Sequence, residues 1–139
     1  LIGGKRQYQL YAEAMRENGQ EPSARPLVVS RAVYVAEDTE REAAELAPFL
    51  EYRMRTSREM WAAATGRPED PQRWQYRQPF IGDAQACIKE IQDMAASIPV
   101  DTLVFPGIYP GQPLSSAMAH LEHFARQVMP CFQGAPSTL

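Results

Sequence analysis

Two short apolar runs constrain the fold of this 139-residue chain more than any other feature. Residues 27–36 (LVVSRAVYVA) are rich in β-branched and aromatic side chains and are broken only by Ser30 and Arg31, and residues 100–105 (VDTLVF) repeat the pattern more briefly. Near-continuous apolar runs of this length read as strands buried on both faces. Helical patterns lie between them, and a strand that returns through helices to a second strand pairs with it in parallel, through a right-handed crossover. The expected fold class is therefore α/β, with two parallel strands and flanking helices.

The helices announce themselves by period and punctuation. Over residues 6–18, Tyr8, Tyr11, Ala12 and Met15 share one helical face, and Gly19 follows as the stop. Thr39-Glu40-Arg41-Glu42 fits a capping box, and Ala43, Leu46, Ala47, Leu50, Met54, Trp61 and Ala64 continue the period behind it. Pro48 predicts a division of that run into two helical pieces. Residues 66–79 are proline-rich and without period, an irregular excursion whose Trp74, Tyr76 and Phe80, with Trp61, serve either as a pocket or subunit cover or as a local core. Asp83 caps the next helix, with Ala84, Cys87, Ile88, Ile91, Ala95 and Ile98 on one side and Pro99 closing it. Leu114, Met118, Leu121, Ala125 and Val128 mark the last helix, which Pro130 ends. Residues 1–139 read as one domain. Two strands alone leave edges open and helix faces uncovered, so the pattern looks like one sector of a larger barrel, incomplete by itself. A self-contained form would complete its sheet with a second copy.

Charge and composition narrow the partners. The net charge is −3 and the isoelectric point about 5.4, which supplies no positive field for a nucleic acid or an anionic lipid surface. No apolar stretch approaches the length of a membrane span, and the N-terminus lacks the layout of a signal peptide; a cytoplasmic location is expected. Cys87 and Cys131 stand far apart with no metal-ligand or disulfide spacing, so two reduced thiols are expected. The chain opens on Leu1-Ile2 with no initiator Met, and is expected to be a piece of a longer polypeptide.

Three strings carry a resemblance. RAVYVAEDTEREA (31–43), PFIGDAQACIKEI (79–91) and VDTLVFPGIYPGQPLSSAMAHLEHFARQVMP (100–130) together resemble the C-terminal part of the bacterial-luciferase-like, flavin-dependent monooxygenases. The likeness runs over residues 5–132. It departs at Asp83-Ala84, where the family carries Ser or Thr followed by Pro, and at Gln85-Ala86, where acidic residues are common. The resemblance implies the last strand–helix units of a (β/α)₈ TIM barrel, usually dimeric, in which reduced flavin mononucleotide (FMN) and oxygen act on a small organic substrate. The larger N-terminal part, which holds most of the family's flavin and substrate residues, is not in this sequence, so no catalytic residue is assigned and the chain alone is expected to be inactive. A deazaflavin-dependent dehydrogenase on the same barrel is an alternative, and so is a non-catalytic half-barrel of the same ancestry that oligomerises.

Barrel sites sit at the C-terminal ends of the strands, here Ala36-Glu37-Asp38 and the loop from Phe105 to Tyr109. In that loop Gly107 permits close backbone approach, and Phe105 and Tyr109 are candidates to line a pocket for a flavin ring or an apolar substrate; the same residues also read as turn punctuation and helix cover. Arg31 in an apolar strand needs an anionic partner, either a flavin phosphate or a carboxylate from Glu37, Asp101 or a helix. Gly3 and Gly4 ahead of the first helix are candidates to present amides to a phosphate, or form a plain linker. His120 and His123 share helical spacing but lack a third ligand, which places them on the polar flank of the last helix and leaves no metal site. Glu37 and Asp38 read as helix-capping carboxylates.

Overall fold

The computed structural model describes residues 5–68 and 78–132. In chain order these form α1 (Lys5–Glu17), β1 (Val28–Ser30), β2 (Val33–Val35), α2 (Thr39–Thr65), β3 (Phe80–Gly82), α3 (Ala84–Ser97), β4 (Thr102–Val104) and α4 (Leu114–Gln127). Both strand pairs are parallel: β1 with β4, in the register Val28 to Thr102, and β2 with β3, in the register Val33 to Phe80. The α/β reading with parallel strands is therefore correct. Among the described residues the strands do not close into a barrel.

The run 27–36 serves both pairs because alternate residues of a strand direct their amides to opposite sides. Leu27 accepts bonds from the Asp101 and Thr102 amides, and Arg31 donates to Val104, all toward β4. Ala32 accepts from Phe80 and Ala36 donates to Gly82, toward β3. The side chains alternate as well. Val33 and Val35 pack with Cys87, Ile88 and Ile91 of α3 and Phe124 of α4, and Leu27 and Val29 pack with Ile98 and with Tyr8 and Tyr11 of α1. Ala32 and Tyr34 face the other way, against Leu46, Phe49 and Leu50 of α2 and against Tyr109.

Sequence reasoning missed β3, because Phe80-Ile81-Gly82 is too short to show a period and sits directly before the Asp83 cap. Two expectations about α2 are corrected. The helix runs unbroken from Thr39 to Thr65 with Pro48 inside it; Leu46, Phe49 and Leu50 bury on both sides of the proline and hold the run together. Its N-cap is Asp38, whose Oδ1 accepts from the Arg41 amide at 3.0 Å. The cap therefore lies one residue ahead of the expected box, and Glu42 has no part in it.

Candidate functional site

A cleft of about 670 Å³ opens at the C-terminal ends of β2 and β3. Its walls include Ala36 and Glu37 after β2, Asp83 and Gln85 after β3, and Ser116, His120 and His123 from α4. Because α2 covers one face of the strands and α3 the other, the cleft lies where the connections diverge, the usual position of ligands in open α/β sheets. Helix N-termini attract anions. Here, however, the two that face the cleft are capped by the carboxylates of Asp38 and Asp83, which accept from the Arg41 and Ala86 amides, and Glu37, Glu42 and Glu45 line the same walls. Arg41, on the same wall, is paired with Glu45 at 3.4 Å, so carboxylates predominate at the mouth of the cleft.

Where α2 meets α4, the cleft wall continues into a nearly buried polar cluster. Glu42, freed from capping, reaches α4, and its Oε1 lies 2.8 Å from His120 Nε2; both side chains are nearly sealed, at 11% and 12% exposure. His120 Nδ1 is buried without a hydrogen-bond partner. The edge of the His120 ring meets Tyr34 at 4.6 Å between centroids. Tyr34 in turn stacks on Tyr109 at 5.8 Å, and the Arg53 guanidinium sits 5.2 Å above the Tyr109 ring. Burial is the main force raising the Tyr34 phenol, with Tyr109 and the Glu42 charge adding to it. Burial also raises Tyr109, against the pull of Arg53. Both phenols are held in the protonated form.

The loop that delivers Tyr109 is a type II turn. The Gln112 amide donates to the Tyr109 carbonyl at 3.0 Å, Pro110 occupies the first central position, and Gly111 takes φ +84° at the second, where a side chain would be strained. Gln112, itself buried, also accepts from the Tyr109 amide through Oε1 at 3.0 Å. The PGIYPGQ string announced the turn; the second bond depends on the Gln112 rotamer and left no mark in the sequence.

The candidates read from sequence are dispersed by the fold. Arg31 meets Glu90 of α3 at 2.9 Å and donates to the Gln78 carbonyl at 2.9 Å, so its partner is a helix carboxylate. Gly107 allows a close approach, but to α4: a Cβ there would lie 3.1 Å from Leu121 Cδ2. Phe105 packs against Phe124 at 4.5 Å on the α3 and α4 face, whereas Tyr109 is buried on the α2 face. The two aromatics do not share a pocket. Gly3, Gly4, Trp74 and Tyr76 lie outside the described residues. His120 is corrected from polar flank to buried partner of Glu42, while His123 stays exposed on the cleft wall. No group of His, Cys, Asp and Glu among the described residues can hold a metal ion, and no helix there is long and apolar enough to cross a membrane.

These placements also test the fit of a flavin. The described candidates form no cradle for it: Arg31 is paired, Gly107 is packed on Leu121, and the Tyr109 ring is sealed. A scan against protein-family models returns no match, and a search of curated proteins returns no similar sequence.

Proposed function

We propose that this chain forms the closing wall of a (β/α)₈ oxidoreductase similar to the luciferase-like monooxygenases, with reduced flavin and oxygen acting on an organic substrate held mainly by other parts of the barrel. One observation carries the reading. The β1–β4 pair is covered on a single face, by α1 and α3 through Tyr8, Tyr11, Met94 and Ile98. On the opposite face Val28 and Val104 are 42% and 47% exposed, and Thr102 between them is exposed too. Parallel strands ordinarily bury both faces, and in a barrel the inner face is filled by side chains from the other strands. A bare face beside a helix-covered one calls for further strands or a second chain to cover it, on the side where α2 already covers Ala32 and Tyr34. On this reading the chain supplies geometry, and its described residues do not hold the cofactor.

The poor fit of the flavin candidates favours one second reading, a half-barrel of the same ancestry that covers the bare face by oligomerising and carries no cofactor. One preparation separates the two. The natural polypeptide is purified, weighed by mass spectrometry, tested for flavin absorbance, and assayed for flavin-dependent oxidation of reduced nicotinamide. The enzyme reading expects a polypeptide well above 15.6 kDa that turns over with added FMN. A colourless oligomer of the short chain, inactive with FMN or a deazaflavin, overturns it.

A further inference from the structure

Ser116, His120 and Glu42 line one cleft, and their contacts leave a proton donor and a proton acceptor unmatched one helical turn apart. The Glu42 carboxylate, 2.8 Å from His120 Nε2, favours the imidazole proton on that nitrogen. Nδ1 is then the basic nitrogen, and it is buried with no partner. Four positions earlier on α4 stands Ser116, half-buried. Residues so spaced share a helix face, with Cβ atoms about 5–6 Å apart, and helical side chains lean toward the N-terminus, which brings His120 over the Ser116 turn. Gln112 settles the role of the serine oxygen. Its Oε1 accepts from the Tyr109 amide, so its Nε2 is the atom that donates to Ser116 Oγ, at 3.3 Å. Ser97 and Thr65 spend their hydroxyl protons on carbonyls one turn back, at 2.8 Å. The bond that fixes Ser116 is one its oxygen accepts, and its proton remains to be given. Ser116 also stands in the first turn of α4, whose N-cap, Pro113, makes no side-chain cap bond. The first bond of that helix runs from the Ala117 amide to the Pro113 carbonyl, so the Leu114, Ser115 and Ser116 amides precede the ladder.

We infer that these residues form an acyl-transfer site, with Ser116 as nucleophile, His120 Nδ1 as base and Glu42 as the residue that positions the imidazole. Its substrates are carboxylic esters without negative charge, because carboxylates predominate at the cleft mouth. Oγ attacks the ester carbonyl carbon while its proton passes to Nδ1, and the carbonyl oxygen takes up negative charge beside the uncapped amides. The bond to the leaving oxygen then breaks, that oxygen takes the proton from Nδ1, and the acyl group stays on Oγ. Water gives a proton to Nδ1 and attacks the acyl carbon, which releases the acid and restores Ser116. Water is the single co-reactant, so the site stands whether or not the protein uses a flavin.

An alkyl fluorophosphonate, a neutral ester analogue that loses fluoride to an activated serine, tests the site in the natural polypeptide. Peptide mass spectrometry is expected to find the adduct on Ser116 of the native protein and not of the heat-denatured one, and the adduct abolishes hydrolysis of p-nitrophenyl acetate. His120→Gln lowers the labelling rate about 100-fold or more, the usual share of a general base. Glu42→Gln keeps an acceptor but removes the charge opposite the imidazole, and so moves the pH profile of labelling to lower pH, which a merely structural contact would not do. The inference is overturned if the native protein takes no label, takes it at a residue other than Ser116, or labels Ser116 as fast with His120→Gln in place.

Discussion

Gln112 joins both ends of the turn that buries Tyr109, through its backbone amide and through its side-chain carbonyl. Replacing it with Ala leaves the Tyr109 amide buried with no acceptor, which costs about 1–3 kcal/mol, so thermal denaturation of Gln112→Ala should show a clearly lower Tm. Cys87 gives a prediction of opposite character. Its thiol is fully buried, with Sγ directed at the Tyr34 and Gly82 carbonyls, and burial raises its pKa from 9.0 to about 11. The folded chain therefore favours the neutral thiol. This stabilisation is complete below pH 9, where both states are protonated, and is lost as pH rises toward 11, because the unfolded thiol ionises first. At pH 8 iodoacetamide should modify exposed Cys131 quickly and Cys87 only after unfolding; equal rates in the native protein would refute the burial argument. Single residues were legible in the sequence where their chemistry admits few outcomes. Arg31 required an anion, and a helix carboxylate was among the expected partners. Nothing in the sequence distinguished Glu42 as a cap from Glu42 as a partner of His120, because that choice turns on a one-residue shift in where α2 begins.

At the scale of elements, apolar period and capping residues located the four α-helices of the described residues closely, since each helix buries one face and its ends need satisfied amides. The Pro48 expectation failed because propensity is local while packing is not. Leu46, Phe49 and Leu50 hold α2 against Ala32, Tyr34 and Tyr109, and that contact outweighs the missing proline N–H. Pro48 itself is exposed. Pro48→Ala should therefore raise stability by about 1–3 kcal/mol, up to the full helix-interior penalty of proline, and urea denaturation measures the gain; an unchanged or lower midpoint would refute the argument that packing overrides a local penalty at Pro48. The cap offers a counterpart. Asp38→Ala removes the acceptor of the Arg41 amide and should cost about 1 kcal/mol, whereas Thr39→Ala, at the residue the capping box singled out, should cost less.

For the whole molecule, the sequence revealed the parallel pairing of its two apolar runs and the right order of helices, but not that one run serves two partners. That division depends on β3, whose Phe80-Ile81-Gly82 becomes a strand only because the even-numbered amides of 27–36 lie beside it. The split also explains why one half of the long run is enclosed and the other is not: α2 covers Ala32 and Tyr34, while Val28, on the same side, lies exposed. Val104 is the sharpest probe of what that side is for. In the 139-residue chain by itself, Val104→Asp changes a half-exposed position, and surface substitutions shift stability by roughly 0.5 kcal/mol or less. In a longer polypeptide whose remaining strands close over this face, the same carboxylate would be buried without a partner, at a cost of about 3 kcal/mol or more. Urea melts of Val104→Asp in both contexts should differ by that margin, and closely matching melts would mean that no barrel interior forms against β1 and β4.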